Sequence, residues 1–131
     1  EIIGNGKHLT YHSYEFEFEL EQANQLAEAL LRLNNNNNGA IDSFDFFNSK
    51  LNPVTFQTLW NALLDSGVRK IKFANYDDCT ADPPIHNNNN SINFTGMEAN
   101  ISLKELDLSG FYMREEDYRN LFHSMKVNKG V

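Results

Sequence analysis

The sequence has one cysteine, a shortage of basic residues and no long apolar run. Cys79 alone cannot form an internal disulfide, and a lone thiol mildly favours a reducing compartment. Lys and Arg number 11 against 18 Asp and Glu, so the formal net charge is −7. This balance argues against a nucleic-acid surface, which needs a basic stripe. No segment approaches membrane-spanning length and no signal peptide is visible, so we expect a cytoplasmic protein without membrane insertion.

The sequence also lacks a recognisable set of catalytic or metal-binding residues. His8 and His12 are four residues apart in a segment with strand periodicity, and no cysteine or carboxylate completes a metal site there. Asp77 and Asp78 follow a strand end, but no general acid or nucleophile pairs with them. The acidic run 115–117 lies in a first helical turn, where negative charge favours the helix dipole. We therefore expect no enzymatic activity and no cofactor.

Two asparagine runs, Asn34–Asn38 and Asn87–Asn90, interrupt the chain. Surface loops tolerate such insertions at low entropic cost, so we interpret both runs as insertions. Asparagine-rich sequence also creates N-x-Ser/Thr sequons, at Asn89, Asn93 and Asn100. A secreted, glycosylated protein is therefore the alternative to the cytoplasmic expectation.

The clearest pattern present lies between Leu103 and Met125. Leu103, Leu106 and Leu108 form an L-x-x-L-x-L pattern whose second half has the period of a strand. A helical stripe follows at positions i, i+3, i+4 and i+7, namely Tyr118, Leu121, Phe122 and Met125. A strand and return helix of this size cannot bury its own apolar face, so it needs similar units beside it.

Copies of the pattern occur upstream. Residues 41–64 match it in both the strand and the helix when Phe46 is aligned with Leu108. In that copy Asn52 suits the N-cap, Pro53 the first helical position and Gly67 the turn after the helix. A third strand begins 27 residues after Ile41. A degenerate copy at the N-terminus has a predicted helix over residues 21–33, in which Ala23, Leu26 and Leu30 match the helix positions of the second unit. This alignment places Tyr11 and Ser13 in the strand slots.

The repeated unit resembles the leucine-rich repeats of the ribonuclease-inhibitor type. The resemblance implies a horseshoe-shaped solenoid of the α/β class, with a parallel sheet on the concave face and helices on the convex face. One position departs from the family. The asparagine that usually follows the strand is replaced by Ser49, Tyr76 and Phe111, so the turns are less regular than those of the family.

This interpretation divides residues 1–131 into about four units of a single domain. The units are 8–40, 41–67, 68–102 with its asparagine-rich insertion, and 103–131. There is no initiator methionine, and residues 127–131 have the pattern of an approach to another strand, so we expect a fragment of a longer protein. Residues 1–7 are rich in glycine and are expected to be loose. The helix of the third unit is expected to be short, because Asp82–Pro84 forbids helix.

The pattern predicts which residues fill the core. The strands are predicted at Tyr11–Ser13 (or 14–18), Phe44–Phe46, Ile71–Phe73 and Leu106–Leu108. The predicted core contains the inward residues of these strands and helices: Leu26, Leu30, Phe44, Phe46, Phe56, Leu59, Leu63, Ile71, Phe73, Leu106, Leu108, Leu121 and Met125. Phe94 and Met97 are expected to be the core contacts of the third unit.

The residues that alternate with the core positions predict a binding surface. In each strand the residue between two inward side chains points outward, which gives the row His12, Asp45, Lys72 and Asp107. The next outward positions are Tyr14, Phe47, Ala74 and Ser109. Exposed aromatic side chains beside charges are typical of protein interfaces.

A protein-interaction module that binds its partner on the concave strand surface is the function that the sequence favours. The alternative is a regulator of a small GTPase or of actin assembly, which rests on the family resemblance alone. An exposed arginine on a loop after a strand would favour a GTPase-activating role, but Arg69 is predicted inside a strand and Arg114 near a helix start, so neither fits this role cleanly. A ligand-sensing domain of a larger protein is a third alternative.

Overall fold

The computed structural model describes residues 2–5, 8–13, 19–35, 41–48, 53–74, 92–108, 111, 114–128 and 130, with only the backbone given at 2–5, 12–13, 33–35 and 48. The helices and strands follow one another in the order β1 Ile2–Asn5, β2 His8–Ser13, α1 Leu20–Asn35, β3 Ser43–Asn48, α2 Pro53–Asp65, β4 Lys70–Ala74, a 3-10 turn Thr95–Met97, β5 Glu105–Asp107 and α3 Glu115–Asn128.

The strands form one five-stranded sheet in the order of the sequence. Strands β2 to β5 are parallel, and the predicted pairing of Phe44 with Ile71 and Phe46 with Phe73 is confirmed. Neighbouring parallel strands need a crossover that runs over one face of the sheet, and α1 and α2 supply two of these crossovers. The α/β class and the parallel sheet are confirmed, whereas the horseshoe solenoid stays a prediction.

The beginning of the chain differs from the prediction. Residues 2–5 form a strand that pairs antiparallel with β2, with Ile2 opposite Tyr11 and Asn5 opposite His8. The expectation of a loose segment was wrong, because two isoleucines and one antiparallel neighbour suffice for a short edge strand that shows no periodicity. Helix α1 also extends two residues past Leu33, so the first two asparagines of the run 34–38 are helical.

A hydrophobic core joins the inner side of the sheet to the helices. It contains most of the predicted residues and several aromatic side chains, among them Trp60, Phe94 and Phe111. Tyr11, Phe46 and Phe73 share one register position on three strands, and their rings lie 5.1 and 5.3 Å apart. These distances are typical of favourable aromatic contacts.

Three predicted core residues are only partly buried: Leu106, Leu108 and Met125. Leu106 belongs to β5, the strand at the edge of the sheet, and Met125 belongs to α3, so both lie in the last unit. In this unit Phe111 occupies one of the positions where the leucine-rich repeats have asparagine. It is buried and lies 5.1 Å from Phe56 and 5.6 Å from Phe73 between ring centres. An aromatic ring therefore replaces the polar turn at this position.

Helix α2 is central to the core. Pro53 is its first residue, as predicted, and Gly67 follows its end with a φ of 80°. Glycine favours this left-handed conformation because it has no Cβ. Phe56, Leu59 and Leu63 lie on the buried side of the helix and are fully enclosed. Asn52, the predicted N-cap, lies outside the described residues.

The third unit has no α-helix within residues 92–108. A single 3-10 turn, Thr95–Met97, takes its place. Phe94 and Met97 are nonetheless buried, at 1% and 0% exposure, so the predicted core contacts of this unit are confirmed. Residues 92–103, named the connecting segment below, are mostly irregular apart from this 3-10 turn.

Candidate functional site

The sheet side opposite the helices carries polar and charged side chains. We call this side the strand face and define it by the side chains that alternate with the core residues of the strands: His8, Thr10, Ser43, Asp45, Phe47, Lys70, Lys72, Glu105 and Asp107. The alternation follows from the strand geometry, in which successive side chains point to opposite sides. The strand face is therefore built directly by the pattern that builds the core.

Three of the predicted binding residues lie in one row. Asp45 pairs with Lys72, and Lys72 pairs with Asp107, so the predicted position of Lys72 between two carboxylate-bearing strands is confirmed. His12 does not belong to this row. Strand β2 is shifted by two residues from the predicted register, and Thr10 is opposite Asp45 while His12 is opposite Phe47.

The shift arose because the degenerate first unit was aligned by its helix. Ala23, Leu26 and Leu30 are buried as expected, but the connection between β2 and α1 is two residues longer than its counterpart in the second unit. A shift of two residues keeps each side chain on its side of the strand. For this reason Tyr11 was correctly expected to face inward.

The second predicted row is only partly preserved. Phe47 pairs with Ala74 as predicted, and Phe47 is half-buried. Ala74 is 3% exposed, so the expectation that it is an accessible part of the surface was wrong. The side chain of Ala74 is a single methyl group beside the phenyl ring of Phe47, so it is easily shielded from solvent. Tyr14 and Ser109 lie outside the described residues, and so does the side chain of His12.

His8 organises one end of the strand face. Its Nδ1 forms a short hydrogen bond with the Ser43 hydroxyl, and the Thr10 hydroxyl lies 3.0 Å from its Nε2. The same Nε2 lies 3.7 Å from a carboxylate oxygen of Asp45. The imidazole is 45% exposed and the Asp45 side chain 39% exposed. Because the imidazole and the carboxylate are both exposed to solvent, we interpret the serine, imidazole and carboxylate as a surface hydrogen-bond network.

The charges of the strand face are only partly paired with one another. Lys70 and Glu105 form an ion pair at 3.5 Å. Among the ion pairs of the described residues none includes Lys72. Asp45, its neighbour in the row, lies near His8 instead. Lys72 therefore has an ammonium group available for an external carboxylate.

The two arginines considered for a GTPase-activating role, Arg69 and Arg114, both lie near carboxylates. Arg69 lies before β4 rather than inside the strand as predicted, and it is 64% exposed and 3.9 Å from Asp42. Arg114 precedes α3, is 25% exposed and lies 3.3 Å from the buried carboxylate of Asp117. Both side chains are engaged by carboxylates; Arg69 precedes β4, whereas Arg114 lies at the end of the connection between β5 and α3.

The helical side holds polar groups that the sequence analysis did not recognise. Asp117 is fully buried, and its Oδ1 accepts a hydrogen bond of 3.0 Å from the peptide N–H of Ile92. Further along α3, the Ser124 hydroxyl donates to Glu98 at 3.4 Å, and the Asn128 amide donates to the carbonyls of Met97 and Asn100. Asp117, Ser124 and Asn128 recur at i, i+7 and i+11, so one helical stripe holds the connecting segment.

Helix α2 holds the same segment from the other side. The Gln57 amide both donates to the Asn93 carbonyl, at 2.8 Å, and accepts from the Asn93 N–H, at 2.6 Å. The Asn100 side chain donates to the Leu64 carbonyl and accepts from the N–H groups of Ser102 and Leu103. Two of the three sequons lie in this segment. The side chain of Asn93 is exposed, whereas the amide nitrogen of Asn100 is used within the fold.

A cavity of about 300 Å³ lies between the connecting segment and α3. Its lining combines two apolar residues with a carboxylate, an imidazole, hydroxyls and amides: Ile92, Asn93, Phe94, Thr95, Glu98, Asn120, His123 and Ser124. The only sequence signal that could have found it is the polar stripe of α3, which includes Asn120 and Ser124. In the sequence, however, that stripe cannot be distinguished from an ordinary solvent-exposed helix face.

Two further properties concern ligands and membranes. The described part of the chain contains no group of three or more histidine, cysteine or acidic side chains arranged to hold a metal ion. None of its helices combines the length and the apolar character that crossing a membrane requires.

Comparison with known protein families, with curated proteins and with solved structures gives no significant match to this chain. The functional conclusions therefore rest on the residues and geometry described above.

Proposed function

We propose that the chain is a leucine-rich-repeat-like protein-interaction module that binds a partner protein on the strand face. The repeated strand and helix pattern supports a curved solenoid whose concave side is the strand face. The observation that carries the proposal is the row Asp45, Lys72 and Asp107, in which charges of alternating sign lie on adjacent strands and the central ammonium has no ion pair among the described residues.

The arrangement favours a partner whose charges alternate in the opposite order. A surface ion pair contributes about 0–1 kcal/mol, so an internal ladder along this row would add little stability. Complementary charges on a partner would instead raise the rate of association and fix its orientation. Phe47, half-buried at the end of β3, would add apolar contact area beside Asp45. Aromatic residues are enriched at interface centres.

The size of the strand face constrains the interface. Four parallel strands measure roughly 19 Å across, and five residues along a strand measure about 17 Å. The face therefore offers about 300 Å² in projection, whereas a stable interface needs about 800 Å² from each partner. A stable complex therefore needs the loops at the strand ends as well, where the predicted positions Tyr14 and Ser109 lie in the sequence.

The test compares a strand-face variant with a variant of the helical side. Asp45→Lys combined with Phe47→Ala reverses one charge and removes the aromatic ring. Glu28→Lys makes the same charge reversal on the exposed side of α1. Each protein is immobilised, incubated with lysate from the source organism, and its bound proteins are quantified by mass spectrometry. Circular dichroism checks that each variant is folded.

We expect at least one protein that binds the wild type and Glu28→Lys equally and is lost with the double variant. Lys72→Glu should weaken the same protein. If the folded double variant captures this protein as well as the wild type does, the interface lies on the helical side and the proposal is contradicted.

A further inference from the structure

The cavity between the connecting segment and α3 lies beside the 3-10 turn, where the described part of the third unit has no α-helix. Helix α2 has 13 residues, whereas the 3-10 turn has only 3. A volume of about 300 Å³ is at the lower end of the range for ligand sites. It accommodates one long side chain or a small molecule of similar size.

The lining of this cavity favours a cationic group. The Glu98 side chain has one hydrogen bond, from the buried Ser124 hydroxyl at 3.4 Å, and the described ion pairs do not include it. Glu98 is half-buried, and its carboxylate forms no ion pair among the described residues. Burial of a charge without a partner is unfavourable. Asn120 adds an exposed amide and Thr95 a hydroxyl at the rim of the cavity.

We propose that this cavity binds a guanidinium group. Guanidinium carries its hydrogen-bond donors in a planar fork and is more weakly hydrated than an ammonium ion. Its desolvation on entering a partly enclosed carboxylate site therefore costs less free energy. Its donors would meet the free lone pairs of Glu98 and the Asn120 amide oxygen, while its alkyl chain lies against Ile92 and Phe94. The group belongs either to an arginine side chain of a protein or to a free guanidino compound. This site lies on the helical side and does not depend on the proposed function of the strand face.

The test is an NMR titration of the full chain, labelled with ¹⁵N. Three probes are added separately: N-acetyl-arginine amide, agmatine and N-acetyl-citrulline amide. Citrulline keeps the shape of arginine but has no charge. We expect a dissociation constant on the order of 1 mM for at least one guanidinium probe, with shifts centred on Thr95, Glu98, Asn120 and Ser124. Citrulline should bind at least about tenfold more weakly, because a charged hydrogen bond is lost.

The two guanidinium probes separate the sources of the group. Preference for the capped arginine indicates a protein side chain, and equal or tighter binding of agmatine indicates a free guanidino compound. Equal binding of the citrulline probe, no binding at about 10 mM, or shifts confined to other residues would overturn the proposal.

Two variants and a control test the assigned residues. Glu98→Gln keeps the acceptor for Ser124 but removes the charge, so it should weaken guanidinium binding at least about tenfold. Asn120→Trp places a bulky ring at an exposed position of the lining and should block binding even if Glu98→Gln proves unstable. Glu28→Gln removes an exposed carboxylate of α1, away from both sites, and should leave binding unchanged. Unchanged binding in both cavity variants, each shown to be folded by circular dichroism, would also overturn the proposal.

Discussion

Asp117 illustrates at the residue scale how polar contacts replace apolar packing in this chain. Its carboxylate is fully buried, and both oxygens are engaged: Oδ1 by the Ile92 N–H at 3.0 Å and Oδ2 by Arg114 Nε at 3.3 Å. The sequence placed Asp117 in an acidic first turn, where the helix dipole explains the charge. Nothing in the sequence pattern indicated a distant peptide N–H as its partner. The buried hydrogen bond therefore emerges only from the three-dimensional arrangement.

Replacing this carboxylate should destabilise the fold. Asp117→Ala leaves a buried N–H unpaired, which should lower the free energy of unfolding by about 1–3 kcal/mol. Urea denaturation measures the change. Glu116→Ala, at the exposed neighbouring position, should change stability by less than about 0.5 kcal/mol. Equal effects of the two substitutions would contradict the role assigned to Asp117.

The aliphatic core allows a similar comparison within one helix. Leu59 is fully buried in α2, and Leu59→Ala should cost about 2–5 kcal/mol because it removes buried methyl groups and leaves a cavity. Val54 is 44% exposed on the same helix, and Val54→Ala should be nearly neutral. A melting temperature unchanged by Leu59→Ala would count against its placement.

At the scale of elements, the repeated pattern predicted most of the fold. The matching positions of Phe44, Phe46, Ile71 and Phe73 gave the correct parallel register for β3 and β4, because the period of two fixes which side chains are buried. Strand β1 was missed because its four residues, which include Gly4, carry no periodic signal. The two-residue shift of β2 was missed because connection lengths do not follow from the helix pattern. Within the candidate site, the row of Asp45, Lys72 and Asp107 could be predicted because it follows from the same period of two along the strands. The cavity on the helical side could not be predicted from any such pattern.

Deletion of an asparagine run tests whether that run lies outside the folded repeat unit. Residues 87–90 lie in sequence between β4 and the connecting segment and do not match the repeat. Their removal should change the free energy of unfolding by less than about 0.6 kcal/mol, since the entropy of loop closure varies slowly with length. Deletion of residues 36–38, which follow α1, should have an equally small effect. Loss of soluble expression in either deletion would show that the run is part of the folded unit.

At the scale of the whole molecule, one pattern builds both the core and the strand face. The inward side chains of β2, β3 and β4 join the core, and the alternate side chains expose the charges of Asp45 and Lys72 on the other side. On the helical side, a cavity with a different chemistry lies between the connecting segment and α3. The two proposed sites therefore lie on opposite sides of the sheet, and each can be disrupted without changing the other.

The register of β3 and β4 is the most direct test, since the strand face depends on it. In a background with Cys79→Ser, a double variant carries Asp45→Cys and Lys72→Cys. Paired residues on adjacent strands lie about 4.8 Å apart between Cα atoms, within the range that a disulfide spans. The matched control combines Asp45→Cys with Lys70→Cys, a diagonal separation of about 8 Å that exceeds this range. Mild oxidation followed by non-reducing mass spectrometry should give an intramolecular disulfide in the first variant and free thiols in the control. A disulfide in the control and none in the first variant would contradict the register, and with it the charged row on which the proposed function rests.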